Sequence, residues 1–533
     1  MVGSGPDCCY HGRLQAPTRH PMRKTKIICT IGPATGSYEM LERLYAAGMN
    51  VVRLNMSHGD HESHARVIKA IRTLNRKVRY TVPVMLDTQG PEIRTGHLSA
   101  ELDLREGQEI TIVVRGAEHV EESSIQIDYA DIINAVEVGD RITVDNGLIN
   151  LEVLSKQERV MRCRVVDGGS LKSKRHVNLP GIRVNLPAIT EKDRHDIQFG
   201  MDQEVDYIAL SFVREAKDVR ELREFLGEKA NKIKIIAKIE DQEGVRNLDE
   251  IVHEADGIMV ARGDLGVEVN FYELPTIQRR IVRTCAEQGK RVIVATHLLE
   301  SMIQNPVPTR AEVTDVANAV YEEADAVMLS GETTIGKYPV KCVEYLDRIC
   351  RAVEPHRGLR FTEKLVLAEQ KQSLAASAVH LAELISARGI VVITRRGRMA
   401  NYVTNCHPHT SVIYAFTNDS RTRRLLALNR GVCAYRSNFS TDPEKTLASA
   451  FAILVQREGF RAGDKVVVIS DILEGAGVEA IHVREVPALA ALGCGSGFSR
   501  TAGGGECSTE VEPTEDEPAE AEPAEDQSAE REP

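Results

Sequence analysis

Short apolar runs rich in β-branched residues alternate with amphipathic segments through the first 355 residues of the chain. Runs of this kind, ending in polar or charged residues, are typical of parallel strands buried on both faces. Eight of them end at 28–33, 51–58, 84–94, 208–213, 235–240, 258–264, 292–297 and 326–332. Apolar residues between them recur at helical spacing, as in 38–47, 216–226 and 274–288. Eight β-then-α units predict an α/β fold, the closed (β/α)8 TIM barrel.

This regular spacing is interrupted once, after the third strand. Residues 98–179 contain short alternating runs separated by turn sequences such as Asp145-Asn146-Gly147, which predict an inserted antiparallel β-barrel domain. Removing the 88 residues of 97–184 from the 332 residues of 24–355 leaves 244, close to the ~250 typical of a TIM barrel.

A third unit follows the barrel, in which a long helical stretch precedes strand-like runs at 389–394, 411–417, 431–435 and 465–470. This pattern predicts an open α/β domain. The predicted parts are a disordered N-terminal extension (1–22), the barrel domain with the active site (23–96 and 185–355), the inserted β domain (97–184), the C-terminal α/β domain (356–486) and a disordered acidic tail (487–533).

The net charge of -11 is concentrated in the tail, because the twelve acidic residues and one basic residue after Gly505 contribute -11 by themselves. The rest of the chain is near neutral, so we expect no nucleic-acid partner. No apolar run approaches the ~18 residues of a membrane span, and the first residues show no signal-peptide pattern. We therefore expect no membrane partner and a cytoplasmic location. The eleven irregularly spaced cysteines predict reduced thiols.

Polar residues stand at most of the barrel strand ends, and in a TIM barrel these ends meet at one mouth. The fifth strand ends in Lys238 and Glu240, and the sixth runs into Arg262 and Asp264. Two carboxylates can hold Mg²⁺ and leave positions for substrate oxygens, while neighbouring cations suit a transferring phosphoryl group. Other strand ends contribute Arg53, Asn55, Ser57, His58, Asp87, Thr88, Glu92, Arg94, Thr296, His297, Ser330 and Glu332.

Each of these residues alone could serve as a helix cap or an ordinary ion pair. Together they have the chemical logic of phosphoryl transfer. Asn55, Ser57, Asp87 and Thr88 form an oxygen-rich group with one formal charge, which suits a monovalent cation better than zinc or iron. Thr296 offers a hydroxyl that could relay a proton.

From about Lys24 to Val486 the chain resembles the pyruvate kinase family. The resemblance rests on motifs in one order, at 26–34, 53–59, 87–96, 178–181, 237–240, 256–268, 295–296, 299–302, 308–312 and 330–333. It implies transfer of the phosphoryl group of phosphoenolpyruvate to ADP, giving pyruvate and ATP. It also implies a barrel, a lid formed by the inserted domain (97–184), a regulatory C-terminal domain (356–486) and a homotetramer.

The resemblance also implies a role for each matching residue. Mg²⁺ would be held by Glu240 and Asp264, and K⁺ by Asn55, Ser57, Asp87 and the backbone oxygen of Thr88. The catalytic residues would be Lys238, Arg53 and Thr296. The substrate phosphate would bind Arg53 and Lys238, the substrate carboxylate would bind Thr296 and the backbone of Ala261, Arg262, Gly263 and Asp264, and nucleotide phosphates would bind Asn55, His58, Arg94 and Arg175.

The chain departs from the family pattern at several positions. His297 stands where Gln is common, and Arg175 where many relatives have Lys; Glu92 is the residue typical of K⁺-dependent members. The C-terminal loop formed by Thr394, Arg395, Arg396, Gly397 and Arg398 lacks hydroxyls that bind sugar-phosphate effectors in many relatives. Its arginines could still bind phosphate, so we expect a phosphorylated effector unlike fructose bisphosphate.

Two other functions compete with this interpretation. Aldolases and carbon–phosphorus mutases are barrels that also use Mg²⁺ with phosphoenolpyruvate or pyruvate, and the strand-end chemistry alone does not exclude them. A degenerate kinase retained as a scaffold would be expected to lose Lys238, Glu240, Asp264 or Thr296, and all four are present.

Overall fold

The computed structural model describes residues 22–114, 124–129, 131–182, 184, 186–470 and 480–488. Eight strands pair in parallel around a closed barrel. In chain order they are Lys26–Thr30, Val51–Asn55, Val84–Asp87, Tyr207–Leu210, Lys234–Ile239, Gly257–Ala261, Arg291–Ala295 and Ala326–Leu329. The predicted TIM barrel is confirmed.

Alternate residues of these strands fill the inside of the barrel, where Met85, Tyr207, Met259 and Met328 are buried together. The remaining strand residues pack outward against surrounding helices. These helices are Tyr38–Ala47, His61–Lys77, Glu191–Asp202, Ala216–Leu226, Gln242–Arg246, Leu248–Glu254, Arg262–Glu268, Leu274–Gln288, Arg310–Tyr321, Gly331–Thr334 and Pro339–Val353. Short 3₁₀ turns lie at Gly227–Asn231 and Glu300–Ile303.

The segment between the third and fourth barrel strands folds as a separate barrel-like sheet. Its seven strands, in spatial order, are Ile93–Arg94, His176–Asn178, Arg141–Val144, Ile149–Gln157, Val160–Asp167, Glu109–Val114 and Ser124–Ile127. The last two pair in parallel, whereas the other pairs are antiparallel. A bridge between Thr95 and Ile127 joins the two ends of the sheet. Leu102–Leu104 and Gly169–Leu171 form a second, two-stranded sheet, and Ile132–Ala135 is a short helix.

The C-terminal unit is an open sheet with the strand order Val432–Arg436, Val412–Thr417, Gly389–Ile393, Lys465–Ser470 and Ala480–Glu485. The last strand is antiparallel to its neighbour, and the others are parallel. Its helices are Gln370–Leu384, Arg398–Asn405, Ser420–Leu425 and Pro443–Glu458, with 3₁₀ turns at Phe361–Lys364 and Leu426–Leu428. The predicted α/β domain is confirmed.

The C-terminal unit packs against the end of the barrel opposite its mouth. Lys26, which begins the first barrel strand, donates Nζ to the carbonyl of Val432 at 2.7 Å, and Arg424 Nε lies 2.8 Å from Oδ1 of Asp206. Leu425 and Leu428 pack against the barrel's interior residues. The two units are therefore in direct contact, and the mouth remains free for the insert.

The two predicted terminal segments lie almost entirely outside the described residues. The predicted extension at 1–22 and the tail at 487–533 lie outside the described residues, except for Met22, Pro487 and Ala488. Every cysteine in the described ranges is unpaired. Across the same ranges, we find no helix with the length and hydropathy needed to cross a membrane.

Candidate active site

The centre of the barrel mouth is a buried cluster of one carboxylate and two cations. Asp87, at the end of the third strand, has no solvent exposure. Its Oδ2 lies 2.5 Å from Arg53 Nε and its Oδ1 lies 3.0 Å from Lys238 Nζ. Burial alone would raise the pKa of Asp87, but Arg53 and Lys238 hold it below the ordinary value. The cluster fixes both cations before any substrate arrives.

Glu240 extends this cluster toward Asp264. Its Oε2 accepts a hydrogen bond of 2.7 Å from the backbone of Phe212. Its Oε1 lies 3.0 Å from Lys238 Nζ, yet accepts no well-directed hydrogen bond from the described residues. Burial and the charge of Asp264 raise the pKa of Glu240 to about 7, although Lys238 opposes this shift. Such a carboxylate is stabilised by a further cation.

The donor set fits Mg²⁺ better than a metal that is enclosed by protein ligands alone. No cluster of three or more His, Cys, Asp or Glu side chains suited to a metal occurs in the described ranges. A pair of carboxylates, one of them with an unused buried oxygen, matches the preference of Mg²⁺ for a few protein oxygens plus substrate and water. Glu240 and Asp264 are the residues that could hold it.

The end of the fourth strand contributes two residues that the sequence analysis did not select. Ser211 lies 2.7 Å from Lys238 Nζ and donates its hydroxyl to the carbonyl of Thr88 at 2.7 Å. Phe212, with φ of 51°, is held in the left-handed region and directs its N–H at Glu240. The one available signal was position, because both residues directly follow Tyr207–Leu210.

Thr296 lies in a strained loop after the seventh strand. Thr296 and His297 have φ values of 63° and 55°, which are costly for residues other than glycine. The Thr296 hydroxyl accepts from Gly263 N at 2.8 Å and donates to the carbonyl of Ala295 at 2.7 Å. The structure thus brings Thr296 to the first turn of Arg262–Glu268, as the predicted carboxylate site requires, while the His297 side chain is exposed.

The side chain of Arg262 fixes the loop that contains Thr296 through hydrogen bonds to its backbone carbonyls. Its Nε donates to the carbonyl of Ala295 at 3.1 Å, its Nη2 to the carbonyl of Thr296 at 2.6 Å, and its Nη1 to Asp315 at 2.7 Å. All of these acceptors belong to the protein. The Arg262 guanidinium therefore positions Thr296, which leaves only the Arg262 backbone for a substrate.

The four residues predicted to bind K⁺ lie on adjacent strands. Asn55 stands opposite Asp87 in the register of the second and third strands, and its Oδ1 accepts from Ser57 N at 3.1 Å. The carbonyl of Thr88 also accepts from Ser211. This group offers several neutral oxygens and one carboxylate that is already shared with two cations, so its chemistry fits a monovalent ion.

The predicted nucleotide contacts lie where the insert joins the barrel. Arg94 pairs with His176 across neighbouring strands. Thr95 N donates to the carbonyl of Arg175, and Arg175 N donates to the side-chain hydroxyl of Thr95, which places the two arginines at neighbouring positions of these strands. The Arg94 guanidinium is bound by Glu92 at 2.5 Å, and Arg175 lies 3.5 Å from Asp145. The side chain of His58 is exposed at the rim of the mouth.

The predicted effector loop lies on the C-terminal sheet, away from the mouth. It follows strand Gly389–Ile393, and the order of the parallel strands reverses between this strand and Lys465–Ser470. Ligands of open α/β sheets bind outside the strand ends at such a point. The Thr394 hydroxyl is buried without a partner among the described residues, and Gly397 has φ of 76°. Arg395, Arg396 and Arg398 are exposed, and none forms an ion pair with another described residue.

Comparisons with known proteins agree with this architecture. Residues 22–343 match the family model for the pyruvate kinase barrel domain, and residues 372–483 match the model for the pyruvate kinase alpha/beta domain. The chain is 42% identical to plastidial pyruvate kinase 2 of Arabidopsis thaliana over 479 residues, which cover 87% of this chain and 81% of that protein.

Two further comparisons extend the match to a bacterium and to a solved structure. The chain is 43% identical to pyruvate kinase of Geobacillus stearothermophilus over 485 residues, covering 89% and 82% of the two chains. The crystal structure of a pyruvate kinase from Cryptosporidium parvum superposes with a TM-score of 0.82 at 36% identity, covering 87% of this chain and 96% of that one.

Proposed function

The chain belongs to the pyruvate kinase family and is an enzyme of that kind, and from this premise we propose how its barrel mouth transfers the phosphoryl group of phosphoenolpyruvate to ADP. The P–O bond to the enol oxygen breaks, and a bond forms to an oxygen of the ADP β-phosphate. The enolate left behind takes up a proton at carbon, which gives pyruvate.

Lys238 and Arg53 stabilise the phosphoryl group in transit. The observation that supports this role most strongly is the carboxylate of Asp87 between them, at 2.5 Å from Arg53 and 3.0 Å from Lys238. Burial would lower the pKa of Lys238, but Asp87 and Glu240 raise it above the ordinary value, so the ammonium group stays charged. Preorganised cations are worth most where charge develops in the transition state.

Glu240 and Asp264 would hold Mg²⁺, and Asn55, Ser57, Asp87 and Thr88 would hold K⁺. A divalent ion there supplies charge neutralisation for the phosphoryl oxygens and a template for their alignment. Glu240 supports this assignment because its pKa of about 7 is the mark of a buried carboxylate short of positive charge. Arg94, in strand Ile93–Arg94 of the inserted sheet, and Arg175, directly before the neighbouring strand, bind the nucleotide phosphates, with Asn55 and His58 at the rim.

Thr296 holds the substrate carboxylate together with the backbone from Ala261 to Asp264, and relays the proton to the enolate carbon. Its hydroxyl already participates in a chain that runs from Gly263 N through Oγ1 to the carbonyl of Ala295. When Oγ1 gives its proton to the enolate carbon, it takes another from water at the mouth, and the N–H of Gly263 stabilises the oxygen during this exchange. Arg262 keeps this loop in its strained conformation.

A coupled assay of pyruvate formation tests the proposal. We expect the full-length protein to form pyruvate from phosphoenolpyruvate only when ADP and Mg²⁺ are present. We also expect a loss of roughly tenfold or more when K⁺ is replaced by choline, because the oxygen-rich group then lacks its ion. Activity without Mg²⁺ would contradict the Mg²⁺ assignment, and equal activity in choline would contradict K⁺ dependence.

We also propose a phosphorylated effector at the C-terminal loop. The buried Thr394 hydroxyl and the three exposed arginines at the strand-order reversal support a phosphate site. The contact between this domain and the end of the barrel provides a route to the mouth.

A homotetramer in the cytoplasm is proposed as the assembled form. Phe271 and Tyr272, between two barrel helices, are 79% and 78% exposed, and such paired aromatic residues are typical of a surface that another subunit covers. Light scattering on the purified protein tests the assembly, with a monomer as the contradicting result.

Some related enzymes are plastidial by name, so localisation of a tagged protein tests the compartment.

A further inference from the structure

One hydrogen bond joins the lid to the barrel beside the mouth and involves none of the proposed catalytic residues. Asn178, the last residue of strand His176–Asn178, donates its Nδ2 to Oε1 of Glu268 at 2.9 Å. Asn178 is buried, and this is the one side-chain hydrogen bond it makes with the described residues. Because buried polar groups require partners, this contact constrains how the lid strand sits on the barrel.

On the barrel side, Glu268 lies where two strand-end segments meet. It is the last residue of helix Arg262–Glu268, whose first turn carries Asp264. Its backbone carbonyl accepts a hydrogen bond of 2.5 Å from Gln242, two residues after Glu240. Glu268 is therefore tied to both segments that supply the proposed Mg²⁺ carboxylates.

On the lid side, strand His176–Asn178 positions the two arginines that are proposed to bind the nucleotide. His176 lies opposite Arg94 in antiparallel register, and Arg175 directly precedes the strand. The other edge of the strand pairs with Arg141–Val144, where Asn178 stands opposite Thr143. A displacement of Asn178 relative to the barrel would therefore move Arg94 and Arg175 together.

We propose that Asn178 and Glu268 are positioning residues that set the lid's nucleotide-binding cations in register with the carboxylate pair of the barrel. This inference rests on the proposed function. The two residues act through Arg94 and Asp264, because their own contact lies at the junction of the two domains. A misplacement of about 1 Å between reacting groups can cost on the order of 10²-fold in rate. ADP should be affected, while phosphoenolpyruvate is held by barrel residues alone.

The test compares four full-length variants: Asn178→Ala, Glu268→Ala, the double variant and Glu268→Gln. We expect each alanine variant to raise the KM for ADP roughly tenfold and to leave the KM for phosphoenolpyruvate within about twofold. The double variant should be no worse than the worse single one, as for two residues that share one contact. Glu268→Gln keeps the acceptor Oε1 and should behave like the wild type.

Hydrogen exchange without substrates provides a second readout, which does not depend on activity. Amides of 172–182 should exchange faster in the alanine variants than in the wild type or Glu268→Gln. Ser170→Ala serves as the control, since it removes a hydrogen bond to Glu101 within the lid and away from the barrel contact; its KM values should be unchanged.

Three results would overturn the inference: an unchanged KM for ADP in the alanine variants, equal increases in both KM values, or Glu268→Gln as impaired as Glu268→Ala. A wild-type protein that forms no pyruvate would instead contradict the proposed function, and hydrogen exchange would still test the contact. Thermal unfolding of each variant identifies any that fails to fold, in which case Glu268→Gln and Asn178→Ala decide the matter.

Discussion

The barrel mouth and the C-terminal loop both gather positive charge, but they do so in opposite ways. At the mouth, Arg53 and Lys238 are buried and share the carboxylate of Asp87. In the loop, Arg395, Arg396 and Arg398 are exposed, and none pairs with a carboxylate of the described chain. Buried charges must be paired in the folded state, whereas exposed arginines need no partner.

This difference indicates what each region is built to do. Paired, buried cations have fixed positions, which suits the stabilisation of a transition state. Unpaired, exposed arginines gain a partner only when a ligand brings one, which suits a site that responds to concentration. Three predictions are taken in order of expected effect. The first two test whether the two regions are as different as their charges indicate, and the third concerns the junction between the lid and the barrel.

The largest of these three effects is expected from removing a carboxylate at the mouth. Glu240→Gln should lower kcat/KM by about 10³-fold, because the proposed Mg²⁺ pair loses one of its two charges. An Mg²⁺ titration of the rate should show a half-saturation shifted to higher concentration. Glu228→Gln, an exposed residue in the 3₁₀ turn before the strand that Glu240 follows, is the matched control. A Glu240→Gln protein with a normal Mg²⁺ titration would exclude this assignment.

A smaller effect is expected from the loop. Replacing Arg395, Arg396 and Arg398 by Gln should abolish any shift that sugar phosphates or nucleoside monophosphates cause in the phosphoenolpyruvate saturation curve. Shifts of about 5- to 150-fold are typical of allosteric coupling. Arg461→Gln, an exposed residue before the N-terminal end of strand Lys465–Ser470 and so at the opposite end of the parallel strands, should keep the shift. If no phosphorylated metabolite shifts the phosphoenolpyruvate saturation curve of the wild type, the effector hypothesis is wrong.

The smallest effect concerns the stability of the junction between lid and barrel. Burial, with the charges of Asp241 and Asp264, raises the pKa of Glu268 to about 7 from 4.5, although the hydrogen bond from Asn178 opposes the shift. The native state therefore binds more protons than the unfolded state between these values, and the stability that Glu268 contributes is lost as the pH rises through 7.

Thermal unfolding from pH 5 to pH 8 measures this contribution. Glu268→Gln cannot ionise, so its Tm should rise by a few degrees relative to the wild type across this range. Glu228→Gln should show no such trend. A constant difference between Glu268→Gln and the wild type would mean that Glu268 is not buried as an ionisable group.

The sequence allowed the barrel to be predicted because its strands are buried on both faces, which leaves long β-branched runs. The predicted runs 235–240 and 258–264 end one and three residues beyond the observed strands Lys234–Ile239 and Gly257–Ala261. Pairing between strands was harder to predict, since the parallel pair of Glu109–Val114 and Ser124–Ile127 depends on contacts that local alternation does not encode.

The charged residues of the candidate site could be predicted from the sequence. Residues whose roles depend on backbone geometry or on the placement of a neutral group could not. Ser211 and Phe212 escaped notice because one is a common polar residue and the other is apolar. Their roles depend on a hydroxyl placed between Lys238 and Thr88 and on a backbone N–H turned by a positive φ. The contact between Asn178 and Glu268 likewise joins residues 90 positions apart, and no local pattern predicts it.

The most direct test of the catalytic role of the barrel mouth is the steady-state rate of pyruvate formation by Lys238→Met at saturating phosphoenolpyruvate, ADP, Mg²⁺ and K⁺. Lys232→Met, an exposed lysine just before the same strand, is measured beside it. We predict a loss of about 10³-fold or more for Lys238→Met and none for Lys232→Met, with both proteins folded. A Lys238→Met protein that keeps more than about a tenth of the wild-type rate would contradict this account.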